Sequence, residues 1–480
     1  MLVYAPNNKM NSTQDIYFSG KENIINVPHA LKAPLLFGLT KTTIGACTAY
    51  DWLGTELIVI QNTCSFRKRL HFRGRFILSW RRKSLTKTIP EIYQIEKSRA
   101  PRVYLNIGSL PFDDNSSGIP RVAKELSCEA LKQNNTPVFP IYADPKTGVY
   151  KFALQWVRSK GYCTHQFKKF NIDKSSDDPK ITLAPGDWII HTMINPNEID
   201  VEKQIFSEMR ALGVKIGFVL HDIIAERRPE FFRKRDQKTF GRWLRKITDY
   251  DGIFAVSKAT RDDFLNWAKE NNITPNASKI SSFFLGSNFQ APTETLSPQE
   301  IFQLEKIKAL EYCMQVSTIE PRKGYKQLLE AFDLVAQQDT KLALVIVGRQ
   351  GWKVQDICNK IRHHPLLNKQ LFWFAGISDS MLQELYKNAK LIVACSENEG
   401  FGLPVVEAGH FKKPLLARDI PVFREVAPSQ TTFFHGQSPQ VLASAILKTM
   451  KEPSGNLSQH SPPKTWSDSL TALLGCITER

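Results

Sequence analysis

Two doubly wound α/β domains in series are the fold class this sequence predicts. Three observations carry that reading. From about residue 101, apolar runs of strand length alternate with amphipathic helical stretches. That is the pattern of buried parallel strands joined by helices. The alternation pauses at a Ser-Pro helix signal, Ser297-Pro298, and then restarts. The chain has 480 residues, 42% of them hydrophobic, which is enough for two separate cores.

The elements follow in order. Strands of the first domain are expected at "VYLNIG" (103–108), "PVFPIY" (137–142), "DWIIHT" (187–192), "KIGFVLHD" (215–222), "GIFAVS" (252–257) and "ISSFFLG" (280–286). Helical spacing lies between them, around 119–133, 198–212 and 258–270. The second series is "YCMQVS" (312–317), "LALVIVG" (342–348), "LFWFAG" (371–376), "LIVACS" (391–396), "PLLAR" (414–418) and "TTFFH" (431–435). The domains are placed at 101–293 and 294–452, with a linker and a last helix over 453–480. Residues 1–100 form an N-terminal extension without a legible fold. Ligands of such sheets sit at the carboxyl ends of strands, so two in series predict a cleft between them.

Bulk properties narrow the class. No apolar stretch approaches the length of a membrane span, and no charged-then-apolar leader opens the chain, so a cytoplasmic setting is expected. The eight cysteines form no C-x-x-C pair, which predicts buried, reduced thiols and no zinc site. Net charge is +17, and 66–99 holds eleven Lys/Arg against two Glu, 11 − 2 = +9 of that total. A basic block interleaved with aromatics, as here, suits an anionic partner, with a membrane surface as one candidate. A second basic stretch, 227–247, shows an apolar face at Phe240, Trp243, Leu244 and Ile247, with Pro229 taken as its start. No RNA-recognition aromatic motif or zinc finger accompanies the charge, so no nucleic-acid partner is expected.

"CSENEGFGLPVVEAG" places Glu399 and Glu407 with seven residues between them, at the end of a strand and on the helix that follows. Gly400 and Gly402 allow close backbone approach, and Pro404 suits a first turn, with Glu407 expected near that turn. The exposed amides of a helix start favour an anion. Carboxylates would repel a diphosphate, so nearby cations are needed. "STIEPRKGYKQLLEAF" supplies Arg322 and Lys323 after another strand of the same domain. Two carboxylates so spaced also fit a glycosidase acid/base pair, which needs them on opposite sides of a sugar.

Taken together these motifs resemble the retaining family-4 glycosyltransferases, which have the two-Rossmann GT-B fold. The likeness spans about 103–478 and rests on "EGFGLPVVE", "EPRKG" and "VIVGRQGW". "GIPRVAKEL", "VLHDIIAERRPEFF", "FAVSKATRDDF" and "ARDIPVFREV" resemble bacterial mannosyltransferases of O-antigen or capsule synthesis. The resemblance implies a nucleotide-sugar donor, GDP-mannose in the mannosyl branch, and a glycan or lipid-linked glycan acceptor. It implies no cofactor and no metal. Arg322 and Lys323 would hold the diphosphate, Glu399 the sugar hydroxyls, and Glu407 the ribose. The backbone of Phe401, Gly402 and Leu403 would touch sugar and phosphate, with Gly348 and Arg349 near the nucleotide. His221 would lie by the transferred sugar. Asp113, Asp114, Gly118 and Asp222 fall on the acceptor side. The alternatives are a GT-B enzyme using a UDP-sugar, either a glucosyltransferase or an epimerase, and a non-enzymatic basic binder.

Overall fold

The computed structural model describes residues 2–3, 13–18 and 25–28, and then 88–478 apart from 114–117, 134–136, 173–176, 197–202, 290–294 and 452–463. The chain divides into two compact units at Arg81/Arg82. In the first, Leu2–Val3, Thr13–Phe18 and Ile25–Pro28 form a three-stranded antiparallel sheet. The basic block over 66–87 lies outside the described residues.

The second unit holds both α/β domains. The first domain's sheet has seven strands: β1 (Val103–Asn106), β2 (Val138–Ala143), β3 (Tyr150–Phe152), β4 (Trp188–His191), β5 (Lys215–Leu220), β6 (Gly252–Ala255) and β7 (Ile280–Ser282). Their order is β7-β6-β5-β4-β1-β2-β3, parallel except for β3 against β2. Strands β1, β2 and β4 to β6 are buried almost throughout, so their sequences read as unbroken apolar runs. β3 was not legible because its three residues, Tyr-Lys-Phe, are too short to show a period.

Four helices of this domain matter for the site: α1 (Ile119–Lys132), α2 (Lys203–Ala211), α3 (Lys234–Ile247) and α4 (Lys258–Glu270). Ser257 caps α4, its hydroxyl accepting from the Thr260 amide. The start expected at Pro229 is corrected. Pro229 opens a separate three-residue 3-10 turn, and α3 begins at Lys234. Its apolar face, Phe240, Trp243, Leu244 and Ile247, is buried in the domain core.

The second domain's sheet is wholly parallel: β8 (Glu311–Val316), β9 (Leu342–Val347), β10 (Leu371–Phe374), β11 (Leu391–Ala394), β12 (Leu415–Arg418) and β13 (Thr432–Phe434), in the order β10-β9-β8-β11-β12-β13. The helices α5 (Pro298–Lys308), α6 (Tyr325–Gln338) and α7 (Leu403–His410) belong to it. Strand order reverses between β8 and β11. A crevice therefore opens at their carboxyl ends.

Two boundaries differ from the expectation. The first domain begins before residue 101: Ile89, Ile92 and Tyr93 lie in its core, and Gln94–Ile95 pairs with Thr182–Leu183. The last helix, α8 (Trp466–Thr478), does not stay with the domain it follows. Trp466, Leu470, Leu473 and Ile477 share an apolar cluster with Val122 and Leu126 of α1. Of the described cysteines, Cys128, Cys313, Cys358 and Cys395 are buried, whereas Cys163 is exposed, against the expectation of buried thiols. Among the described residues, no helix is long and apolar enough to cross a membrane.

Candidate active site

The loops after β8 and β11 flank the switch point of the second sheet, and they carry the charged motifs. β8 runs into the 3-10 turn Pro321–Lys323 and then α6; β11 runs into Glu399 and then α7. Parallel pairing of β8 with β11 sets the two loops side by side. This explains how residues 76 and 77 positions apart come to share one cluster.

Glu399 is its centre. One carboxylate oxygen accepts from Arg322 at 3.0 Å and the other from the Lys323 ammonium. Arg322 also donates to the Asn398 carbonyl at 3.0 Å and, through Nε, to Glu320 at 3.1 Å. Burial alone would raise the Glu399 pKa, but Lys323 and Arg322 outweigh it and hold it down to about 2. Burial opposes the Arg322 charge too, yet Glu399, Glu320 and Asp222 raise its pKa on balance. Lys323 moves the other way, lowered by burial and by Arg322 beside it. Burial raises Glu320. The adjoining pocket, about 250 Å³ with its open mouth included, is lined by Gln315, Ser317, Ser396, Glu399, Gly402 and Pro404 among others.

The glycines act as the motif suggests. A Cβ at Gly400 would lie 1.6 Å from the His221 carbonyl oxygen, so this loop meets the first domain at backbone distance. The Gly400 carbonyl accepts from Ser257 at 2.7 Å and Thr260 at 2.9 Å. Gly402 has φ +93°, the left-handed conformation that turns the chain into α7. The Phe401 side chain is buried in the cluster that holds Val256 and Trp466, so it fastens the two domains. Leu403 packs against the same cluster.

Other expected residues are distributed unevenly. Gly348 abuts Ser317, and its carbonyl accepts from Trp373 at 2.8 Å. Arg349 is exposed on the same loop. His221 follows β5 with its ring buried, and Nε2 lies 2.9 Å from the Thr192 carbonyl. Burial lowers its pKa, the Thr192 bond and Asp222 notwithstanding, so the imidazole is neutral at pH 7. Asp222 accepts from the Ile224 amide at 3.0 Å and adds to the field around Arg322. Asp113 is exposed on the loop after β1, and Gly118 starts α1 with φ +62°. The ion cluster includes neither of these. Asp114 lies outside the described residues.

Glu407 takes partners that the sequence does not show. It is the fifth residue of α7, not part of its first turn, and it is buried. One oxygen pairs with Arg121 of α1 and the other accepts from the Tyr386 hydroxyl at 2.6 Å. It therefore forms a tie between the domains. Sequence reasoning assigned no role to Arg121, Tyr386, Glu320 or Asn398. Arg121 stood in the quoted "GIPRV", but nothing local pairs an arginine with a carboxylate 286 residues away.

Further ties cross the cleft. Arg228 donates to Asn398 at 3.0 Å, Trp352 to the Phe231 carbonyl at 2.7 Å, and Lys353 to the Glu230 carbonyl at 2.7 Å. Glu425 accepts from the Lys258 and Ala259 amides at 2.8 Å, capping α4 from the other domain. Among the described residues no group of three His, Cys, Asp or Glu could hold a metal ion.

Two doubly wound domains across a cleft, with an Arg-Lys-Glu cluster at one switch point, define a GT-B protein. Residues 297–461, which take in the second domain, match the family described as glycosyl transferases group 1. The serotype-specific mannosyltransferase WbdA of Escherichia coli is 33% identical over 389 residues, covering 79% of this chain and 46% of that protein. The O-antigen chain mannosyltransferase B of Escherichia coli is 24% identical over 239 residues, 49% of this chain and 61% of that protein. This chain thus spans a little under half the length of the WbdA relative. For the fold, the N-terminal domain of Candida albicans trehalose-6-phosphate phosphatase superposes with a TM-score of 0.51 at 14% identity, over 80% of this chain and 98% of that one.

Proposed function

We propose that this chain is a retaining mannosyltransferase that moves mannose from GDP-mannose to a glycan acceptor, lipid-linked, in surface polysaccharide synthesis. The observation that carries the proposal is Glu399 held between Arg322 and Lys323 beside a strand-end pocket. Similarity to mannosyltransferases supports the sugar.

The residues take these roles. Arg322 spends Nε and one terminal nitrogen on Glu320, Asn398 and Glu399. Its other terminal nitrogen and the remaining Lys323 protons are the donors that suit a diphosphate. The ordered carboxylate of Glu399 accepts from mannose hydroxyls, and the start of α7 faces the phosphates through the backbone of Phe401, Gly402 and Leu403. Gly348 and Arg349 flank the nucleotide, and Glu407 accepts from the ribose. His221 lies by the transferred sugar, and Asp222, Asp113 and Gly118 border the acceptor. In the transfer, the bond from the anomeric carbon to the diphosphate oxygen breaks while the acceptor oxygen bonds that carbon on the same face. The acceptor proton passes to the departing phosphate. Two cations and the helix start stabilise that phosphate, so no metal is required.

Exposed Arg233, Lys234 and Arg235 gather on and just before the first turn of α3, with exposed Lys238 one turn further on. Cations there oppose the helix dipole, at a cost of roughly 0.3–1 kcal/mol each. We assign this face to an anionic membrane surface, a placement suited to a lipid-linked acceptor. Flotation with phosphatidylglycerol vesicles but not phosphatidylcholine vesicles is expected, and equal binding to both rejects it.

A nucleotide-sugar panel read by thermal shift tests the donor. GDP-mannose at about a hundredfold over its Kd should stabilise by about 2.7 kcal/mol. Stabilisation and turnover by UDP-sugars alone would overturn the mannosyl reading. An inverted anomeric product by NMR would overturn the retaining one.

A further inference from the structure

We infer that Arg121, carried by the first domain, belongs to the nucleotide subsite as a positioning residue: it holds Glu407 across the cleft and completes the ribose site. The inference rests on the reading of Glu407 as the ribose carboxylate.

Arg121 sits in the first turn of α1 with its side chain only 14% exposed, and the Glu407 side chain is 2% exposed. The guanidinium lies over the Phe289 ring at 4.5 Å. Tyr386 takes the second Glu407 oxygen and is itself stacked on Phe411, 5.0 Å between centroids and 5° between planes. Phe289 in turn lies 5.2 Å from Phe411. The carboxylate is thus held from two sides, and both holders are themselves packed.

A structural role alone accounts poorly for this pair. A buried ion pair costs much desolvation, and apolar residues of similar volume often stabilise as well or better. The pair also joins different domains, so it exists only while they are together. A carboxylate has about four acceptor sites. Arg121 and Tyr386 take one on each oxygen, which leaves one on each oxygen for the two neighbouring hydroxyls of a ribose. Fixing both oxygens therefore takes both domains: Tyr386 comes from the second and Arg121 from the first.

The test uses the full chain and the variants Arg121→Met, Arg121→Lys, Glu407→Gln and Arg121→Met/Glu407→Gln. GDP affinity is read by calorimetry, with UDP as a second arm, and KM and kcat with GDP-mannose. Losing the cation from a buried pair should weaken GDP binding about tenfold or more, with Lys recovering part of the loss. The loss should appear in the donor KM, with kcat changed by less than about threefold. The double variant should bind GDP no more weakly than Glu407→Gln alone. GDP affinity of Arg121→Met within twofold of the parent, or additive losses in the double variant, would overturn the inference. If Glu407→Gln binds GDP like the parent, the ribose reading fails instead. If the parent binds UDP and not GDP, only the base is wrong, and the same comparisons are made with UDP. If Arg121→Met does not fold, Arg121→Lys decides: unchanged KM for the donor rejects the role.

Discussion

The two faces of the cleft are built on different principles. On the second domain's side, the loops after β8 and β11 concentrate Glu320, Arg322, Lys323 and Glu399 into one hydrogen-bonded cluster. On the first domain's side, the matching strand ends offer a neutral buried His221, a lone Asp222 and an exposed Asp113. The two faces differ in how their charges are held. The second domain gathers its charges into one network within its own loops, fixed before any ligand arrives. The first domain's charged side chains reach across instead, Arg121 to Glu407 and Arg228 to Asn398.

The comparison breaks first at its centre. Glu399→Gln should lower the transfer rate on the order of 10²–10³-fold, since it removes a preorganised charge beside the reacting sugar. Near-parental initial rates would mean the charged face does no chemistry. Gly400→Ala comes next. Its Cβ would meet the His221 carbonyl at 1.6 Å, so the two faces must separate. Small displacements of reacting groups cost about 10²-fold, so a large loss of kcat/KM is expected together with a larger radius of gyration by X-ray scattering. Arg322→Ala should weaken nucleoside diphosphate binding by roughly 1.5–3 kcal/mol, the worth of a charged hydrogen bond. Unchanged calorimetric affinity would remove the diphosphate assignment.

The smallest effect belongs to the first domain's face. The His221 pKa is depressed in the folded state below its ordinary 6.5, chiefly by burial. As pH falls through 6.5, the unfolded chain takes up the proton before the folded one. The stability contribution present above that pH is therefore lost progressively as pH drops toward the folded pKa. Denaturation midpoints measured from pH 7.5 to 5 should decline, and His221→Asn should decline less over the same window. Identical slopes would show that His221 is not titrating in a buried setting.

Much of the fold was legible, and the reason is local. A strand such as Leu342–Val347 is buried along its whole length, so its residues announce it without reference to anything distant. Tyr150–Phe152 escaped because three residues carry no period, and the 89–99 segment because its packing partners lie elsewhere in the chain. The motifs of the charged cluster were legible for a similar reason. Glu399, Gly400, Gly402 and Pro404 are consecutive features of one loop and helix start. Glu407 was placed correctly on that helix, near its first turn, but its partners Arg121 and Tyr386 were not legible because both lie far from it in the chain.

Short-range physics fixed what can be read along the chain: two mainly parallel sheets, the loops that end their strands, and the residue types of the Arg-Lys-Glu cluster. Tertiary structure alone decided the partners. It brought Arg322 and Lys323 to Glu399 through the pairing of β8 with β11. It returned α8 to the first domain, and it set Arg121 on Glu407. Each of these joins groups far apart in the chain. Their energies depend on burial and on distances that sequence order does not encode.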